Sequence, residues 1–137
     1  MVRPEVLRRR LEKLQEYLRI LEGLAQVTEA EFLADPRIHG SAERFLQLAI
    51  EALLDLGAHV VAEMELGQVE TYRDIPRTLE KAGYVPAELA RRWEKIVGFR
   101  NILVHEYVDL DRRLVYTMLR EGLEDLRRLQ AIFGRFL

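Results

Sequence analysis

The chain is dominated by apolar positions recurring at steps of three and four. Leu7, Leu11, Leu14, Leu18, Leu21 and Ala25 form one such series, which predicts an amphipathic helix over residues 4 to 26. Pro4 suits its first turn. Thr28-Glu29-Ala30-Glu31 has the pattern of a capping box and predicts a short turn of helix, which Pro36 should end. From residue 37 or 41 to 65 the pattern is apolar on most of the circumference: Phe45, Leu46, Ala49, Ile50, Leu53, Leu54, Leu56, Val60, Val61 and Met64. A helix of that kind is expected at the centre of the fold. Its polar residues fall in a thin line at every fourth position, Glu43, Gln47, Glu51, Asp55, His59 and Glu63.

Residues 67 to 75 read as a loop, and a short helix is expected near 76 to 82, stopped by Gly83. Pro86 opens a third long helix over 86 to 105. Asp109 or Asp111 caps a fourth, whose stripe is Val115, Leu119, Gly122, Leu126, Leu129, Phe133 and Phe136. Short connections between four long helices predict an all-α fold, an antiparallel up-and-down four-helix bundle with two short extra helices, over a single domain of residues 1–137. Trp93 and Tyr84 are expected in the core. Tyr17 and Tyr116 are read as buried with a bonded hydroxyl, and Tyr72 as unremarkable.

Composition narrows the function classes. There is no cysteine, which excludes disulfides and thiolate zinc sites. The net charge of −2 lacks the basic surplus of a non-specific nucleic-acid binder, though it permits a local basic patch. Gln47, Glu51, Asp55, His59 and Glu63 interrupt the most apolar stretch and argue against a membrane span. The N-terminus has no signal-peptide core, so the cytoplasm is the expected compartment.

The segment RNILVHEY, residues 100–107, carries the candidate chemistry. On a helix, Asn101 and His105 lie about 100° and 140° round from Arg100, while Ile96, Phe99, Ile102 and Leu103 face the core. A permanently charged guanidinium can grip phosphate oxygens, and an imidazole can move a proton near neutral pH. An asparagine amide can orient either partner. These groups suit cleavage of a phosphodiester by a 2′-hydroxyl without a metal or other cofactor. One imidazole cannot serve as both base and acid in a single step, so the mechanism calls for a homodimer with two copies of Arg100 and His105 in one cleft. The plainer alternative is that these residues cap a helix C-terminus, where cations are favoured. Glu51, Asp55 and His59 are read as a polar seam or dimer-facing stripe rather than a metal site. His39 is expected exposed in a loop. The basic clusters are mostly solvated faces, and Arg112 and Arg113, close after the motif, are the expected RNA-binding pair.

The segment GFRNILVHEY resembles the R-x-x-x-x-H-x-Y signature of HEPN-domain proteins, in particular the HepT-like toxins of prokaryotic toxin–antitoxin pairs. SAERFLQLAIEALLDLGAHVVAE is similar to that family's second helix, TYRDIPRTLEKAGYVPAELARRWEKIVGFRN to the segment leading into the motif, and VDLDRRLVY to the segment after it. The resemblance covers nearly the whole chain. It implies a metal-independent endoribonuclease acting as a homodimer on RNA, with Arg100 and His105 as the catalytic pair and Asn101 at the adjoining polar position. It further implies a partner, a minimal nucleotidyltransferase antitoxin of MntA type, that neutralises the toxin by transferring AMP to Tyr107. A different class shares this bundle: non-catalytic subunits that dock substrate for a nucleotidyltransferase.

Overall fold

The computed structural model describes residues 2–137, and every regular element among them is helical. The elements are α1 (Pro4–Leu24), α2 (Glu29–Ala34), α3 (Pro36–Glu63), α4 (Asp74–Lys81), α5 (Ala87–His105), a single 3₁₀ turn (Tyr107–Asp109), α6 (Arg112–Glu121) and α7 (Leu123–Gly134). On α1, Leu7, Leu14, Leu18 and Leu21 are fully buried, each contributing roughly 1.5–3 kcal/mol of apolar burial. The Thr28 hydroxyl caps α2 by accepting the Glu31 N–H (3.2 Å), one half of the predicted capping box, and the Glu31 carboxylate accepts from that hydroxyl (3.0 Å) in place of the Thr28 N–H.

Pro36 opens α3 instead of ending α2. Asp35 does both jobs: it closes α2 and caps α3 by accepting the Arg37 N–H at 2.9 Å. A proline at the first helical position loses no intrahelical bond. The central helix therefore starts earlier than its apolar pattern indicates, and His39 comes with it. His39 is helical and buried, not an exposed loop residue.

Helix α3 packs against all six other α-helices. It is long and apolar enough to cross a membrane by length and composition, and half of that apolar window is buried inside the protein. Trp93 of α5 meets Phe133 of α7 edge to face at 6.0 Å, and Tyr84 packs on Phe136. The Tyr116 hydroxyl donates to the Val27 carbonyl at 2.8 Å. Gly83, with φ +85°, follows α4 where a left-handed residue is needed.

The expected fourth long helix is two helices. It is interrupted at Gly122, whose backbone stays in the right-handed helical region and still donates to the Met118 carbonyl at 2.8 Å. The apolar stripe of Val115, Leu119, Leu126, Leu129 and Phe133 continues buried across the break. The Met118 side chain lies over the bare α-carbon of Gly122, a space that a Cβ would fill.

Candidate functional site

Helix α5 ends at His105 because Glu106 leaves the helical region (φ −124°, ψ 30°) after its N–H bonds to the Ile102 carbonyl at 2.9 Å. The 3₁₀ turn beyond it is held between two buried anchors, Leu103 on α5 and Leu110 past the turn. Asp111 then caps α6 by accepting the Arg113 N–H at 3.0 Å. Between the anchors, Tyr107 and Val108 project outward, 67% and 77% exposed.

Arg100 turns the other way, toward α3. Its Nε and Nη2 donate to one oxygen of Glu51, Oε2, at 2.9 and 2.7 Å, and Gln47 donates to the same oxygen at 3.2 Å. Its Nη1 donates to Asn101 Oδ1 at 3.2 Å, and its guanidinium lies 5.1 Å from the Tyr72 ring centroid, within cation–π reach. Both members of the ion pair are largely enclosed, with side-chain exposures of 17% for Arg100 and 23% for Glu51. A charge-assisted pair in such a setting fixes the guanidinium plane. Sequence reasoning missed both partners as such. Glu51 carried a signal, its place in the polar line of α3. Tyr72 carried none, since a loop residue has no periodicity to reveal what it covers.

His105 is exposed at the C-terminal end of α5. Asn101 and His105 line one depression of about 610 Å³, together with Arg73, Lys95, Ile102 and Leu114. Asn101 therefore joins the two halves of the motif: it accepts from Arg100 on one side and borders the His105 depression on the other.

Arg112 and Arg113 are engaged within the chain. Arg112 Nε donates to His39 Nδ1 at 3.0 Å and lies 3.6 Å from Glu43; Arg113 pairs with Glu29 at 3.3 Å. The remaining polar line of α3 is distributed likewise. Asp55 pairs with Arg10 at 3.4 Å, and burial raises its carboxyl pKa despite that cation. His59 has its Nε2 enclosed without a hydrogen-bond partner, and burial lowers its pKa. Among the described residues no three His, Asp or Glu side chains are grouped to hold a metal ion.

The chain has relatives among known proteins. The family described as ribonuclease HepT-like matches residues 10–131. The chain is 28% identical over 123 residues to the tRNA nuclease HepT of Aphanizomenon flos-aquae, covering 90% of this chain and 84% of the relative. It is 28% identical over 120 residues to the mRNA nuclease HepT of Shewanella oneidensis, covering 86% and 90%. The fold is shared with a solved tri-AMPylated Shewanella oneidensis HEPN toxin in complex with MNT antitoxin, at a TM-score of 0.89 and 22% identity over 97% of this chain and 99% of that one. By this match over nearly its whole length, the chain belongs to the HepT-like ribonuclease family.

Proposed function

We propose that this protein is the toxin of a toxin–antitoxin pair, an endoribonuclease that cuts RNA without a metal at a homodimer cleft. The observation that carries the reading is the end of α5, which presents His105 to solvent beside Asn101 while Asn101 and Glu51 hold Arg100. The 2′-hydroxyl of one nucleotide attacks the adjoining phosphorus. The O2′–P bond forms as the P–O5′ bond breaks, leaving a cyclic phosphate and a 5′-hydroxyl. His105 of one protomer takes the 2′ proton, and His105 of its partner supplies one to the departing oxygen. Arg100 stabilises the charge building on the phosphorane, and Asn101 orients it. The names of the two nuclease relatives support the substrate class. In this reading the helices form an antiparallel up-and-down four-helix bundle, a single domain over residues 1–137, working in the cytoplasm.

Neutralisation is assigned to Tyr107. A nucleotidyltransferase antitoxin of MntA type transfers AMP: the phenol oxygen attacks the α-phosphorus of ATP and pyrophosphate leaves. The adenylate adds negative charge and bulk beside the site that receives substrate phosphate. The exposure of Tyr107, 67%, and the AMPylated state of the structural relative support this assignment.

One observation favours the second reading, a docking subunit of a nucleotidyltransferase that cuts nothing. Glu51 already occupies two donors of Arg100. Purified wild type, Arg100→Ala and His105→Ala, incubated with RNA in excess chelator, separate the two. The nuclease reading expects cleavage by wild type alone, with all three proteins folded and dimeric. Intact RNA in every tube supports the docking subunit.

A further inference from the structure

We infer that Arg73 and Lys95 form a phosphate-binding subsite beside His105, holding the RNA backbone next to the scissile linkage; this rests on the nuclease reading above. The two side chains reach one depression from different elements. Lys95, Gly98, Ile102 and His105 succeed one another along α5 at steps of three and four, so they share a stripe of the helix. Arg73 comes from the loop before α4 and lies over Gly98, where a Cβ would stand 3.5 Å from Arg73 Nη2. Asp74 Oδ2 fixes that loop by accepting the N–H groups of Glu70 and Thr71, both at 3.1 Å. The neighbouring Tyr72 rests on Arg100. Residues 72 and 73 thus meet α5 at Arg100 and at Gly98, within one helical turn.

Charge pairing separates this pair from the other cations near the motif. Arg100, Arg112 and Arg113 each have a carboxylate within 4 Å. Arg73 and Lys95 are exposed and have no ion-pair partner among the described residues. The depression they border is lined by the apolar side chains of Phe99, Ile102 and Leu114 and by one carboxylate, Glu106. Two cations and an imidazole beside apolar surface fit a nucleic-acid strand, whose phosphates need countercharge and whose bases need apolar surface. Arg112 and Arg113, already neutralised, are weaker candidates for that role.

The test is the paired variant Arg73→Gln/Lys95→Gln. Both positions are exposed, so the fold is not at risk. On single-stranded RNA the expected kcat/KM falls on the order of tenfold, and in a His105→Ala background the affinity falls by a similar factor. The salt dependence of that affinity loses about 1.4 from its logarithmic slope, as two phosphate contacts on a single strand require. Arg73→Lys/Lys95→Arg recovers most of the loss. Arg19→Gln/Arg135→Gln, which removes the same charge elsewhere, leaves affinity and slope near the parent. The inference is overturned if the first variant binds and cuts like wild type, if the Arg19/Arg135 control is equally weakened, or if the dimer dissociates. Should wild type fail to cut any RNA, the nuclease reading falls, while affinity and salt slope still decide the subsite.

Discussion

Arg100 and Glu51 stand 49 residues apart in the chain and are joined by two hydrogen bonds to a single carboxylate oxygen, at 2.9 and 2.7 Å. The pair ties the motif helix α5 to the central helix α3, and the same oxygen takes a third bond from Gln47. Glu51→Gln keeps the shape but removes the countercharge from a guanidinium that is 17% exposed. A hydrogen bond to a charged group is worth about 1.5–3 kcal/mol. Chemical denaturation at fixed protein concentration is expected to register a loss of that order. A double-mutant cycle with Arg100→Gln should give a coupling of about 1 kcal/mol or more. Independent, additive effects would mean that the two side chains do not act together.

Gly57 is a point of close approach between α3 and α4. A Cβ there would collide with Ile75 Cγ2 and stand 3.3 Å from Trp93 Cη2. Gly57→Ala therefore overpacks the core, and a cost of about 1–3 kcal/mol is expected despite the better helix propensity of alanine. Thermal unfolding checks this directly; a variant as stable as wild type would show that α4 moves aside freely.

His59 gives stability a pH dependence of definite sign. Burial lowers its pKa below the ordinary 6.5, opposed by Glu63 and Glu5 and reinforced by Arg3 and Arg10. The unfolded chain thus takes up a proton before the folded one does. Its contribution is complete above pH 6.5 and is lost as pH falls through the depressed folded value. Asp55, one turn away, has a raised pKa and works in the opposite direction, above its ordinary 3.8. Melting temperatures between about pH 7 and pH 5 should decline less for His59→Gln than for wild type. Parallel declines would remove His59 as the source.

Tyr107 is mostly exposed, so Tyr107→Phe should change stability by less than about 0.5 kcal/mol. Cleavage should persist, since the hydroxyl takes no part in the proposed reaction. Co-expression with the proposed nucleotidyltransferase antitoxin should leave this variant without added AMP by mass spectrometry and still toxic. AMP found on the Tyr107→Phe protein would move the modification site elsewhere.

The long helices were legible because burial on one face writes a period into the chain, as on α1 and α3. The candidate site was legible as a cluster, because Arg100, Asn101, His105 and Tyr107 fall within eight residues. What holds Arg100 was not, since a pair 49 residues apart leaves no local pattern, and neither does a loop tyrosine resting on a guanidinium. His39 was misread because Pro36 looks like a terminator when Asp35 makes it a beginning. The break at Gly122 was invisible because the apolar stripe runs straight through it.

The proposed reaction stands on two copies of His105 sharing one scissile linkage, and a dimer with a single working imidazole is its sharpest test. Heterodimers of wild type and His105→Ala, separated by distinct affinity tags, are assayed for RNA cleavage beside the wild-type homodimer. A shared cleft needs a base and an acid, so the heterodimer should fall at least about tenfold, below even the low end of what general acid–base catalysis contributes. Retention of half the wild-type rate would mean two independent sites, each complete within one protomer, and the shared cleft would be ruled out.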